Sequence, residues 1–240
     1  MTAPIYAIGD IHGHLDLFEA ALDLVRDDGG AKAEIVFLGD YIDRGLSSRQ
    51  VIERLMSGQD ARLPWTCLMG NHEEVLLGFL ADPGYHSPHN AAVIPYLHPS
   101  AGGREALASY GVDTDPHRAD AGIHADALRA IPKRHIDWIT GLPRVRETPD
   151  HIFVHAGLRP GLPLADQDPG DLLWIRAGFL DDETDHGRLV IHGHTPVAQP
   201  ERHRNRINCD GGATFRRPIL PVRLQGRQAY LLTPEGAHPL

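Results

Sequence analysis

The sequence predicts an α/β fold in which layered sheet is flanked by helices. Three observations lead there. Five short apolar runs, rich in Ile, Val and aromatic residues, each stop at Gly and a polar residue. Segments of helical period lie between the first of these runs. The 240 residues are 42% hydrophobic and 23% charged, an ordinary globular composition on a chain long enough for a sizeable core.

The runs, in order, are PIYAIGD ending at Asp10, EIVFLGD ending at Asp40, WTCLMGN ending at Asn71, HIFVHAG reaching His155, and RLVIHGH reaching His192 and His194. Continuous apolar runs of this length read as strands buried on both faces. After the first run, Leu15, Phe18, Leu22 and Val25 fall on one helical face, and Gly29-Gly30 stops the helix. Ser47 and Gln50 have capping-box spacing ahead of Val51, Ile52 and Leu55, and Gly58 is expected to end that helix. A third helix, over 73–80, follows the third run directly. From 82 to 150, helix-like pieces at 103–110, 124–131 and 135–139 are separated by Gly, Pro and polar residues. This stretch reads as a helical insertion over the same core. The whole chain, 1–240, reads as a single domain, since no linker-like composition marks a boundary. Residues 207–232 read as closing strands with a hairpin turn at Gln225-Gly226. In such sheets ligands bind beyond the carboxyl ends of the strands, and all five polar terminators stand there.

Several functions drop out on composition. No apolar stretch approaches the ~20 residues of a membrane-spanning helix, so no membrane partner is expected. The start, MTAPIYAIGD, has no basic segment followed by a long apolar one. Cys67 and Cys209 are too few for a disulfide framework, and a cytoplasmic chain is the expectation. A net charge of −9 disfavours nucleic acid as a partner. It leaves room for a phosphorylated substrate, because a local metal charge outweighs a distant field.

The chain carries 16 His, the commonest metal ligand and the side chain most easily switched near neutral pH. The terminators Asp10, His12, Asp40, Asn71, His155 and His194 offer carboxylate and amide oxygens with imidazole nitrogens and no thiolate. That set suits Mn, Fe or Zn and is too rich in imidazole for calcium. Asp10 and His12, two residues apart, point the same way on an extended backbone. One Asp or Asn after a strand is ordinarily a turn or helix cap. Six such residues at five equivalent strand ends are not explained that way.

The motifs resemble a known family. Gly9-Asp10-Ile11-His12-Gly13, Gly39-Asp40-Tyr41-Ile42-Asp43-Arg44-Gly45 and Gly70-Asn71-His72-Glu73 are similar to the three N-terminal signatures of calcineurin-like metallophosphoesterases. His155-Ala156-Gly157 and Gly193-His194 are similar to the two later ones, in the right order. The Asp43-Arg44 pair is the form of the phosphoprotein phosphatase branch, including its bacterial and phage members. The resemblance implies a layered β-sandwich core flanked by helices and a site for two divalent metal ions, Mn first, with Fe, Zn, Ni or Mg as alternatives. It implies that Asp10, His12 and Asp40 hold one ion, and Asp40, Asn71, His155 and His194 the other, with Asp40 bridging. A metal-bridging hydroxide would attack phosphorus, which fits the clamp that paired ions make for in-line displacement.

The same resemblance makes His72 the general acid and Asp43 its orienting partner; a salt bridge from Asp43 to Arg44 is the alternative. It makes Arg44, Arg176 and Asn71 substrate-binding, guanidinium forks being suited to phosphoryl oxygens. Arg176, in Leu172-Leu173-Trp174-Ile175-Arg176, has a structural cation–π role as its alternative. His192 reads as a neighbour of the site, and His14 has no assigned role. Pro196 stands where many metallophosphoesterases carry a further His, which again favours the phosphoprotein phosphatase branch. His86, His89, His98, His117, His124 and His203 read as solvated, as does the run Arg202-His203-Arg204-Asn205-Arg206. Arg216-Arg217-Pro218 departs from the glycine-rich stretch usual in related bacterial phosphatases.

The function so implied is a binuclear metal-dependent phosphoester hydrolase, serine/threonine protein phosphatase-like, acting on a phosphorylated protein or a small phosphoester. The alternative is a symmetrical diadenosine tetraphosphate hydrolase, for which Tyr85, Tyr96, Tyr110 and Trp138 are candidate base clamps, although Tyr110 and Trp138 read first as core-packing residues. A non-catalytic module binding phosphorylated partners is the third reading.

Overall fold

The computed structural model describes residues 3–90 and 92–240. In chain order its strands are β1 (Ile5–Ile8), β2 (Glu34–Phe37), β3 (Trp65–Cys67), β4 (Val145–Glu147), β5 (His151–Val154), β6 (Leu189–His192), β7 (Glu201–Arg202), β8 (Arg206–Asn208), β9 (Val222–Gln225), β10 (Gln228–Thr233) and β11 (Gly236–Pro239). The helices are α1 (Leu15–Gly29), α2 (Ser48–Asp60), α3 (Asn71–Ala81), α4 (Gly103–Ser109), α5 (Asp120–Ala130), α6 (Lys133–Thr140) and α7 (Asp171–Trp174).

Two mixed sheets form. The first has the order β11-β10-β9-β1-β2-β3, with β1, β2 and β3 parallel and β9–β11 antiparallel. The second has the order β4-β5-β6-β8-β7, with β5, β6 and β8 parallel. The pleat explains the layering, since alternate residues of a strand face opposite ways. Ala7, Val36 and Leu38 of the first sheet pack against Phe153, Leu189, Ile191 and Ile207 of the second. Their neighbours Tyr6, Ile8, Ile35 and Phe37 face away, into a core shared with the helices. Ile152, Val154 and Val190 turn from the other sheet toward Leu172, Ile175 and Phe179. The result is a β-sandwich with helices on its outer faces. β1, β2, β5 and β6 are buried on both sides, which is why their sequences read as continuous apolar runs.

Four local expectations are corrected. The second helix does not end at Gly58 but runs to Asp60. Gly58 is a packing residue: a Cβ there would lie 2.1 Å from the Trp65 ring. The Ser47 side chain makes no capping hydrogen bond. Within 82–150, the three expected helices form as α4–α6, but the stretch also contributes β4, paired antiparallel to β5. Residues 207–232 form strands as expected, β8 joining the second sheet and β9–β10 extending the first, but the turn is Gly226 (φ +57°) and Arg227 rather than Gln225-Gly226.

Tyr96, Leu107, Tyr110, Ile123 and Ile139 of the helical stretch share one buried cluster with Phe18 and Phe37. His124 is half-buried, its ring edge-on to Phe79 at 5.2 Å, while His86, His89, His98, His117 and His203 are exposed as expected. Asn205 and Arg206 depart from the solvated run: both are buried, Asn205 donating to the Asp182 and Thr184 carbonyls and Arg206 donating to the Leu180 carbonyl and lying over Phe179. No described helix is long and apolar enough to cross a membrane.

Candidate functional site

The sandwich delivers the polar terminators to one place. Asp10 and His12 follow β1, and Asp40, Asp43 and Arg44 follow β2. Asn71 and His72 open α3 after β3, His155 follows β5, and His194 follows β6. The backbone is bent hard to bring them together. His12 (φ +48°), Asp40 (+54°), Asp43 (+70°), Arg44 (+67°) and His194 (+66°) all hold the left-handed conformation that costs an L-residue energy. Asp10 and His12 therefore do not share the face of an extended segment, as the spacing suggested. The left-handed turn at His12 instead sets its Nε2 3.8 Å from Asp10 Oδ2.

Asp40 is central. Its Oδ1 lies 3.4 Å from His155 Nε2, and its Oδ2 lies 3.7 Å from His12 Nε2 and 3.9 Å from His72 Nε2. Asn71 Oδ1 lies 2.9 Å from His155 Nε2 and 2.8 Å from His194 Nδ1. Two convergent groups result, His12–Asp40–His72 and Asp40–His155–His194, with Asp40 common to both. Backbone amides fix the two carboxylates: His72 N–H donates to Asp40 Oδ1 and His194 N–H donates to Asp10 Oδ1. Gly70 permits the first of these approaches, because a Cβ there would lie 2.3 Å from the Asp40 amide.

Glu73, which sequence reasoning passed over as an ordinary helix residue, is fully buried and organises this corner. Its carboxylate accepts N–H bonds from Asp40, Tyr41 and Gly70 at 2.8–3.0 Å. The available signal was its position in the first turn of α3, where a carboxylate reaches back to free amides.

The donor set fits metal ions. His12 Nδ1 bonds the Ile42 carbonyl and His155 Nδ1 bonds the Leu38 carbonyl, so each ring carries its proton there and turns an Nε2 lone pair inward. Burial lowers the pKa of His12, His155 and His194, which keeps the rings neutral and able to ligate. Burial, with Asp210 and then Asp40 nearby, pushes Asp10 well above the usual carboxylate range. Buried carboxylates so close stay ionised together only beside positive charge.

The proton-handling pair lies alongside. Asp43 Oδ2 accepts from His72 Nδ1 at 2.6 Å, and Asp43 makes no salt bridge to Arg44. Burial alone would lower the His72 pKa, but Asp40 and Asp43 outweigh it and hold the ring above its ordinary value. Arg44 reaches inward, Nη1 lying 2.8 Å from His12 Nε2 and Nη2 3.2 Å from His72 Nε2. A cavity of about 630 Å³ opens over Asp40, Asn71, His72 and His194, with Arg44 and Arg176 in its wall. Arg176 donates to the His194 carbonyl at 3.2 Å, and among the described residues it stacks on no aromatic ring. Burial lowers its pKa, the mark of a guanidinium partly stripped of water.

His192 is buried behind the site, its Nδ1 beside the Gly193 carbonyl. His14 lies near Arg216, which pairs with Asp16, so Arg216 leans across α1. The expected base clamps are otherwise engaged. Tyr110 is paired with His135, Trp138 with Gln59 and Tyr85 with Glu74. Tyr96 is buried, with its hydroxyl on Asp43. The exposed aromatic in the cavity wall is Phe215.

A family model for calcineurin-like phosphoesterases matches residues 3–222. The chain belongs to that family. Among curated proteins, the chain is 31% identical over 156 residues to a symmetrical bis(5'-nucleosyl)-tetraphosphatase of a Janthinobacterium species. The match covers 65% of this chain and 44% of the relative. It is 39% identical over 79 residues to a serine/threonine-protein phosphatase of Candida albicans, covering 30% of this chain and 24% of that one. The chain thus spans less than half the length of either relative. Among solved structures, a metallophosphoesterase from Sphaerobacter thermophilus shares the fold, with TM-score 0.53 and 18% identity over 100% of this chain and 89% of that one.

Proposed function

We propose that this calcineurin-like phosphoesterase is a binuclear metal-dependent hydrolase of phosphomonoesters such as phosphoserine and phosphothreonine. The observation that carries this reading is the convergence of Asp40, Asn71, His155, His194 and His12 beside a buried His72–Asp43 pair. Asp10, His12 and Asp40 would hold one ion, and Asp40, Asn71, His155 and His194 the other. Such ions supply Lewis acidity to phosphoryl oxygens and lower the pKa of water.

The chain's own residues supply the rest. Arg44 and Arg176 offer guanidinium forks from the cavity wall and orient the phosphoryl oxygens. Asn71 presents an amide to the same group. Asp43 holds the Nδ1 proton of His72, which keeps the Nε2 proton available for the departing alcohol oxygen. Asp40 and His72 are buried at the floor of the cavity, where charges are screened less than in bulk water.

A second reading is supported by the match to the symmetrical tetraphosphatase: the same centre cleaving the anhydride of a dinucleoside tetraphosphate. A panel of p-nitrophenyl phosphate, phosphoserine and phosphotyrosine peptides and diadenosine tetraphosphate, each run with Mn, Fe, Ni, Zn and Mg, separates the two. Phosphoserine turnover above dinucleotide turnover supports the first reading. A dinucleotide preference replaces it with the second, and no turnover with any metal removes both.

A further inference from the structure

Asp43 has two carboxylate oxygens, and only one of them faces His72. The other, Oδ1, accepts the hydroxyl of Tyr96 at 2.8 Å. Tyr96 comes from the helical stretch, not from a strand end, and is 2% exposed. Its ring packs on Phe79 at 4.9 Å, and Phe79 lies on α3, the helix that also carries His72. The Asp43 amide is tied in turn to Ser48 Oγ at 3.0 Å. Proton donor, carboxylate and tyrosine are thus one braced unit, closed through α3.

We propose that Tyr96 is a positioning residue for proton donation, fixing the Asp43 carboxylate that fixes His72. This inference rests on the hydrolase reading above. With Oδ1 held, Asp43 has one rotamer in which Oδ2 meets Nδ1–H, and His72 Nε2 stays directed at the cavity. Without the hydroxyl, Oδ1 is a buried acceptor with no donor, and the carboxylate turns to find one. In the reaction His72 passes its Nε2 proton to the leaving oxygen as the P–O bond breaks; the ring keeps its Nδ1 proton, and Tyr96 keeps its own throughout. The helical stretch therefore contributes to chemistry and not only to cover. Tyr96 is one of the candidate base clamps of the tetraphosphatase reading; its burial removes that role and its hydroxyl supplies this one.

The variant Tyr96→Phe keeps the ring on Phe79 and removes only the hydroxyl. On metal-loaded full-length protein, kcat is to be compared for p-nitrophenyl phosphate, whose leaving group needs little protonation, and for a phosphoserine peptide, whose alkoxide needs it. The expected result is about a tenfold greater loss of kcat on the peptide, with KM little changed on either. The second readout is the His72 Nδ1 proton resonance in zinc-loaded protein, assigned by its loss in His72→Asn. It is expected to shift in Tyr96→Phe while the melting temperature shows a folded chain. Equal losses on both substrates, no loss on either, or an unmoved resonance overturns the inference. Failure of the wild type to hydrolyse any phosphoester instead defeats the hydrolase reading, so the two failures are told apart.

Discussion

The rim of strand ends and the helical stretch from Asp82 to Leu142 handle charge in opposite ways. On the rim, Asp10, His12, Asp40, Asp43 and His155 are at most 3% exposed, and five of the rim residues sit in left-handed backbone. On the helical stretch, charges pair at the surface, as Lys133 with Asp137 and Arg104 with Asp120. Surface pairs cost little and return little. Buried carboxylates and strained turns cost the fold free energy, and a fold keeps them where a site needs them. The difference separates charges that the fold holds out of water at a cost from charges that it leaves solvated.

The largest expected effect lies on the rim. His72→Asn removes the proton donor and should lower kcat on alkyl phosphates by about 10²–10⁴-fold, with far less loss on p-nitrophenyl phosphate. Steady-state kinetics at saturating metal reads this, and wild-type turnover on the alkyl substrate would break the comparison. An intermediate effect lies where the regions meet. Gly102 adopts φ +81°, accepts the Arg44 amide at its carbonyl, and a Cβ there would lie 2.3 Å from Arg44 N. Gly102→Ala should cost about 1–3 kcal/mol in urea unfolding and raise KM by displacing Arg44.

Acid should act on the helical stretch through His135, which lies buried against Tyr110 and whose imidazole pKa is lowered by that burial. A ring whose folded pKa lies below its unfolded value of about 6.5 stabilises fully above that pH and loses its contribution as pH falls. Wild type should therefore lose stability between pH 7.5 and 5.5, with a shallower dependence in His135→Gln. The smallest effect belongs to the surface: Lys133→Ala, at an exposed pair, should change stability by about 0.5 kcal/mol or less.

Much of this contrast was legible in the residues. Apolar runs ending at Asp10, Asp40, Asn71, His155 and His194 located the strands and their shared edge, because a strand buried on both faces has to be apolar throughout. The left-handed turns were not legible: nothing marks His12 or Asp40 as positive in φ when a non-glycine residue stands there. Glu73 looked like a routine first-turn helix residue, and its three amide partners lie on segments that meet only after folding. Tyr96 was legible as an aromatic but not as a partner of Asp43, since 53 residues separate them. Gly58 read as a helix stop, whereas its missing side chain makes room for Trp65.

Metal stoichiometry tests the central claim, that five strand ends build one centre bridged by Asp40. Wild type and Asp40→Asn are to be loaded with manganese, desalted and analysed for bound metal. Two ions per wild-type chain and fewer than one in Asp40→Asn, at unchanged circular dichroism, is the predicted result. A wild type that retains no metal, or an Asp40→Asn chain that retains both ions, would contradict it.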